Sequence, residues 1–150
     1  MQVVLFEPEI PPNTGSVARL CAATLTPLHL VEPLGFKIDD KHLKRAGLDY
    51  WEFVDLQVHK SWDDFMRTAA PKKLRFFSKR AARSYTSVRY NDDDFLVFGP
   101  ETRGLPQQIL DMDAERALRI PMMGAGVRSL NLSNAVSIVL YEALRQLGKT

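Results

Sequence analysis

One cysteine, three scattered histidines and no long apolar run already exclude several classes of protein. Cys21 has no partner, so no intrachain disulfide can form, which suits a reducing compartment. His29, His42 and His59 do not group with it or with each other in the sequence, so no metal site is expected. No stretch approaches the ~20 apolar residues that span a bilayer. The opening MQVVLFEPEIPPN lacks a basic leader, and its apolar run is too short for a signal peptide. A cytoplasmic protein with no membrane attachment is expected. GxxxxGK[ST] and G-x-S-x-G are both missing, which speaks against a P-loop and against a serine hydrolase of the elbow type. Gly124-Ala125-Gly126-Val127-Arg128-Ser129 imitates half of a dinucleotide fingerprint. It puts Ser129 where the last glycine belongs, and no strand with an acidic residue follows, so NAD binding is not expected.

The chain that remains is 45% hydrophobic over 150 residues, enough to bury one sizeable core, so one domain over 1–150 is expected. Val3–Phe6 is a short continuous apolar run, the pattern of a strand buried on both faces; Leu28–Val31 and Phe95–Phe98 read as further buried strands and Leu74–Phe77 as a third strand between them in the chain. Leu118–Pro121 is a fifth strand. Glu7–Asn13, with Pro8, Pro11 and Pro12, reads as a rigid loop. A helix over Thr14–Leu25 follows, capped by Asn13 or Thr14. Further helices are expected over Lys37–Asp49, ended by Gly47, over Ser61–Ala69 behind a capping-box-like Ser61 and Asp64, and from Pro106. Strands alternating with helices give an α/β fold, a largely parallel sheet flanked by helices.

Ile120–Gln146 has the least ordinary composition. Leu132, Val136, Val139, Leu140, Ala143 and Leu147 form one helical row, with Ile138 and Tyr141 on a second face. Arg128, Ser129, Asn131, Ser133 and Asn134 crowd its entrance. Ligands of open α/β sheets bind beyond the carboxyl ends of strands, and three loops there stand out: EPEIPPNTG, GPETRG and PMMGAGVRS. Any one of them is an ordinary tight connection; three together mark a site. Basic residues group at Lys37, Lys41, Lys44 and Arg45, and again from Lys72 to Arg89 with Tyr85 and Tyr90 interleaved. On the residues alone, a solvated charged face and an RNA-facing side with stacking aromatics both stay open.

Taken as a set, N-T-G-S-V-A-R (Asn13–Arg19), L-V-F-G-P-E-T-R-G-L-P (Leu96–Pro106) and I-P-M…R-S-L-N-L-S-N-A-V (Ile120–Val136) resemble the three motifs of the SPOUT RNA methyltransferases. EPEIPPNTG and RAGLDYWEF (Arg45–Phe53) are similar to the branch that 2′-O-methylates the wobble ribose of tRNA. The resemblance implies a SPOUT fold with a C-terminal deep trefoil knot, a homodimer, S-adenosylmethionine as methyl donor without a metal, and tRNA as partner. It implies transfer to the wobble cytidine or modified uridine of leucine tRNAs. Methylation of another tRNA site or of rRNA, and a non-catalytic RNA-binding module, are the alternatives. Carried over by position, Phe77, Gly99, Ile120 and Ser129 line the donor pocket, with Leu130 and Asn134 beside them; Phe77 and Ile120 would sandwich an adenine. Arg19 is the implied catalytic residue, assigned by the resemblance to activating the ribose hydroxyl, as a base, as a stabiliser of the alkoxide or as a phosphate binder; a guanidinium that is normally protonated favours the last two. Asn13, Lys44, Arg45 and Arg80 are expected to face the RNA, and Ile138 and Tyr141 a second subunit. Ser129 and Asn131 could instead cap the last helix, and Glu101 and Arg103 could form loop ion pairs. Ser78-Lys79-Arg80-Ala81 departs from the family's Thr-Thr-Lys-Gly, and no contacts carry over for Met123–Val127.

Overall fold

Residues 1–38 and 48–150 are described by the computed structural model. Lys44, Arg45 and most of the expected helix over 37–49 lie outside them. Among the described residues seven strands build one sheet: β1 (Gln2–Phe6), β2 (Leu28–Val31), β3 (Leu56–His59), β4 (Lys73–Phe77), β5 (Arg83–Ser84), β6 (Asp94–Phe98) and β7 (Ala117–Arg119). Their order is β3-β2-β1-β6-β4-β7-β5, and every ladder is parallel. Among the described residues four α-helices accompany it: α1 (Pro11–Ala23), α2 (Trp62–Thr68), α3 (Gln107–Leu110) and α4 (Leu132–Gln146).

Side chains of a strand alternate between faces, so β1 sends Val3 and Leu5 to one core and Val4 and Phe6 to the other. Val17, Ala18 and Cys21 of α1 and Val136, Val139 and Leu140 of α4 cover the first face. Phe65 of α2 and Ile109 and Leu110 of α3 cover the second. Two covered faces explain why VVLF of β1 and FLVF of β6 carry no polar alternation. Each such side chain stabilises the fold by about 1.5–3 kcal/mol through burial.

The start of α1 differs from expectation. The helix begins at Pro11, with Ile10 as a cap residue that offers no side-chain hydrogen bond, and Asn13 lies inside the first turn. Proline costs nothing there, because the first amides have no intrahelical partner. A carboxylate from far along the chain holds the amides that lead into the helix, as described below. In the last helix Asn131 is the N-cap, and Leu144 is buried where Leu147 was expected to be.

β3 was not expected, and β5 falls in the middle of the basic loop Ser78–Arg89, where a short strand was expected only near the loop's end. β3 holds one buried residue, His59, which forms a pair with His29 of β2. The rings are stacked at 5.2 Å, and Nδ1 of His29 lies 2.9 Å from Nε2 of His59. Gln2 Oε1 accepts from Nε2 of His29 at 2.5 Å, and Thr68 Oγ1 lies 3.0 Å from Nδ1 of His59. Burial, with His59 alongside, pushes the His29 pKa down to about 4.

The basic stretch from Lys72 to Arg89 divides. Arg75 is buried and donates through Nε to the carboxylate of fully buried Asp94 at 3.1 Å and through Nη2 to the Arg89 carbonyl at 2.8 Å. Tyr90 is also buried, its hydroxyl donating to the Tyr85 carbonyl at 2.7 Å. This pair is internal bracing, not a stacking surface for bases. Lys79 and Arg80 remain exposed.

β7 has an unusual position. Leu118 has Phe77 of β4 on one side and Arg83 of β5 on the other, and Ser78 N donates to its carbonyl at 2.9 Å. Residues 78–82 therefore arch from one side of β7 to the other. Within the arch Ala81 N donates to Ser78 O at 3.1 Å. Ala81 is not among the non-glycine residues with positive φ, so alanine meets the turn's geometry where the family pattern has glycine.

Candidate functional site

The sheet changes direction of growth at β1: β2 and β3 extend it one way, β6, β4, β7 and β5 the other. Crevices at the carboxyl ends beside such a switch are where open α/β sheets bind ligands. A cavity of 580 Å³ opens there, at the ends of β4, β6 and β7 and the entrances of α1 and α4. Its volume falls within the ~300–1,000 Å³ of small-molecule sites. Phe77, Phe98, Leu118 and Leu132 give it an apolar side; Asn13, Lys79, Arg80, Glu101, Arg103, Ser129 and Asn131 give it a polar one.

Glu101, in the loop after β6, organises the polar side. Its carboxylate accepts from the backbone N–H groups of Glu9 at 2.8 Å and Ile10 at 3.1 Å, and from Asn13 Nδ2 at 3.2 Å. It thus holds the two amides that lead into α1, the N-cap residue's own among them, with a charge suited to a helix N-terminus. The Asn13 carbonyl oxygen accepts from Asn131 Nδ2 at 2.9 Å. Asn131 Oδ1 in turn accepts from Ser133 N at 2.9 Å and Ser133 Oγ at 2.6 Å, capping α4. One chain of hydrogen bonds joins all three motif loops. A second tie holds the same loops: Glu9 accepts from Thr102 N and Oγ1, and Arg103 pairs with Glu7.

Phe77, Gly99, Ile120, Ser129, Leu130, Asn13 and Arg80 all line this cavity. Gly99 has no room for a side chain: a Cβ there would lie 2.3 Å from Leu105 N and 2.5 Å from Gly104 C. Phe77 stacks on Phe98 at 4.6 Å with the planes 13° apart, so one ring face is already committed. Asn134 is exposed on α4 and outside the lining. Arg19 is also outside it, exposed on α1, a rise of about 9 Å beyond Asn13. Its guanidinium lies 4.7 Å from the ring centroid of Tyr50, and Nη2 donates to the Tyr50 hydroxyl at 3.5 Å. Of the open pairs, Asn131 is a cap and Ser129 is not; Glu101 and Arg103 both make loop contacts. Ile10 and Met122 also line the cavity; as single apolar residues in loops they carry no sequence signal.

A parallel α/β sheet whose late strand passes under an arch, with a pocket built from three hydrogen-bonded strand-end loops, belongs to a ligand-binding class with an ordered, preformed site. The chain belongs to the SpoU rRNA Methylase family, whose model matches residues 1–141. It is 53% identical to the tRNA (cytidine(34)-2'-O)-methyltransferase of Saccharophagus degradans, covering 97% of this chain and 95% of that one. A solved structure from work on the 2-OH methylation of C/U34 on tRNA is 47% identical, with a TM-score of 0.93 over 99% of this chain and 97% of its own. The AdoMet-bound rRNA methyltransferase of Sinorhizobium meliloti is 27% identical, with a TM-score of 0.85 over 97% of this chain and 56% of that one.

Proposed function

We propose that this protein transfers the methyl group of S-adenosylmethionine to the ribose 2′-oxygen of tRNA position 34, cytidine or modified uridine, with leucine tRNAs as substrates. The convergence of three motif loops on one cavity of 580 Å³ carries the reading. The relatives named for cytidine-34 methylation, at 53% identity over nearly the whole chain, support the choice of nucleotide.

The residues fit such a donor. It has an apolar-faced purine and a charged tail, and the cavity has Phe77, Leu118 and Ile120 on one side and Asn13, Ser129 and Asn131 on the other. Bound there, the donor supplies an electrophilic methyl that needs no metal. Phe77, Gly99, Ile120, Ser129 and Leu130 hold it, with Asn134 at the helix entrance. The hydrogen-bonded loops fix its orientation before the substrate arrives, so little reorganisation remains for the reactive complex. Lys79 and Arg80 are exposed cations at the cavity mouth, where they meet backbone phosphates; Asn13 serves the same substrate side, and Lys44 and Arg45 are assigned to the RNA by resemblance. Arg19 stabilises negative charge on the attacking 2′-oxygen or holds the adjacent phosphate.

Arg19 lies outside its own cavity, and Ile138 and Tyr141 of α4 are 37% and 50% exposed. A homodimer packed on that face, with the partner's cavity brought to Arg19, accounts for both. The segment under the 78–82 arch forms the deep knot, and the protein works in the cytoplasm on its tRNA.

Labelled methyl transfer to total tRNA, followed by nucleoside mapping, tests the function. Label is expected on 2′-O-methylcytidine and 2′-O-methyluridine derivatives at position 34. Label on a base, on rRNA alone or nowhere overturns it. Arg19→Ala is expected to abolish transfer while keeping donor affinity; near-normal single-turnover methylation removes Arg19 from the mechanism.

A further inference from the structure

We infer that Tyr50 is a positioning residue that holds the Arg19 guanidinium in its working orientation. The inference rests on the catalytic reading of Arg19 given above. Arg19 projects from the exposed side of α1 and has no ion pair among the described residues. An arginine in that setting normally samples many rotamers, and each catalytic encounter must first order it. Here one face of the guanidinium is placed over the Tyr50 ring at 4.7 Å, and one N–H reaches the phenol oxygen at 3.5 Å.

The ring is itself held. Tyr50 belongs to the 3-10 turn Leu48–Phe53, which packs against α1. Its neighbours Trp51 and Val54 are packed on the core cluster that α1 and α4 share. Two apolar anchors thus pin the turn, while Tyr50, 41% exposed, contributes mainly its face to Arg19. An aromatic partner suits this task better than a carboxylate would. Asp or Glu at the same place would neutralise the guanidinium, whereas a π-face orients it and leaves its charge available to an anionic oxygen. The hydrogen bond is long, so the ring face is the larger part of the grip.

The test compares Tyr50→Phe, Tyr50→Trp and Tyr50→Leu for methyl transfer to tRNA under saturating donor and tRNA, with donor affinity and melting temperature measured alongside. Tyr50→Leu is expected to lower kcat about tenfold, with donor Kd unchanged, while Phe and Trp keep at least about half the activity. In an Arg19→Lys background, the leucine change is expected to add no more than about a twofold loss. Full activity of Tyr50→Leu, or an equal loss for Phe and Leu, overturns the stacking role. So does a full tenfold loss on top of Arg19→Lys, because Tyr50 would then act by a separate route. A leucine variant that melts below the assay temperature is replaced by Tyr50→Gln, judged by the same outcomes. Near-normal transfer by Arg19→Ala removes the catalytic reading itself, and is distinguished from failure of the Tyr50 inference by leaving Arg19 dispensable while Tyr50 is intact.

Discussion

Acid should weaken this fold well before its carboxylates titrate, and His29 is the reason. The side chain is 1% exposed between Phe65, Phe95 and His59. With Nε2 donating to Gln2 Oε1, neutral His29 can only accept at Nδ1, so the proton on the 2.9 Å line to His59 comes from His59 Nε2. A charge on His29 has no carboxylate partner among the contacts described, and His59 opposes it. Its pKa is therefore about 4 in the fold, against 6.5 for the ordinary side chain. The folded state binds fewer protons than the unfolded chain between these values, so stability rises with pH across the window. It is intact above pH 6.5, declines as pH falls and is lost in full once pH passes about 4. The whole effect is about 3 kcal/mol, of which about 2 kcal/mol appears between pH 7.5 and 5.0. Urea titrations at those two pH values read it directly, as does a melting-temperature drop of about 4–8 °C. His29→Phe, although less stable at neutral pH through the lost hydrogen bonds, should lose far less between the same two values. An equal drop in wild type and variant would refute the assignment to His29.

Three other perturbations probe the site. Glu101→Ala removes an acceptor shared by two helix-start amides and Asn13; about 2 kcal/mol of stability should go, with weaker donor binding, measurable by denaturation and calorimetry. Gly99→Ala would push a Cβ into the backbone of Gly104 and Leu105, so donor affinity should fall by about tenfold or more in the same titration. Tyr141→Asp places a charge on the exposed apolar face of α4, and sedimentation should show a monomer; an unchanged dimer counts against that interface.

Much of the sheet was readable because VVLF and FLVF are buried on both sides and carry no polar interruption, and LHLV carries only His29. β3, Leu-Gln-Val-His, escaped notice because its middle residues are exposed and its one buried residue is a histidine, whose burial depends on a partner 30 positions away. The start of α1 was misread for a related reason: the carboxylate that holds its leading amides, Glu101, comes from a different loop, and local rules look for a cap next door. The motif residues Phe77 and Gly99 line the cavity because they sit at strand ends, a position that sequence order reveals, and Ser129 lines it from the loop before α4. Arg19 and Asn134 belong to the same motifs, yet helical geometry turns them away from the cavity. Tyr50 lay within a stretch singled out for its resemblance, but nothing local says that an exposed tyrosine faces a particular arginine.

The arch over β7 also dictates a timetable. Among the described residues β5 pairs with β7 alone, and β7 is made after β6, so the two-residue ladder of β5 cannot close while synthesis is still passing through the middle of the chain. Leu118 lies between Phe77 and Arg83, and Ile120 and Ser129, which complete the cavity wall, follow it in the chain. The pocket is therefore completed last, from the final fifth of the polypeptide. A ribosome-bound or truncated copy would display a nearly finished sheet and no complete donor site, so the ability to bind the methyl donor arrives only with the last segment of the chain.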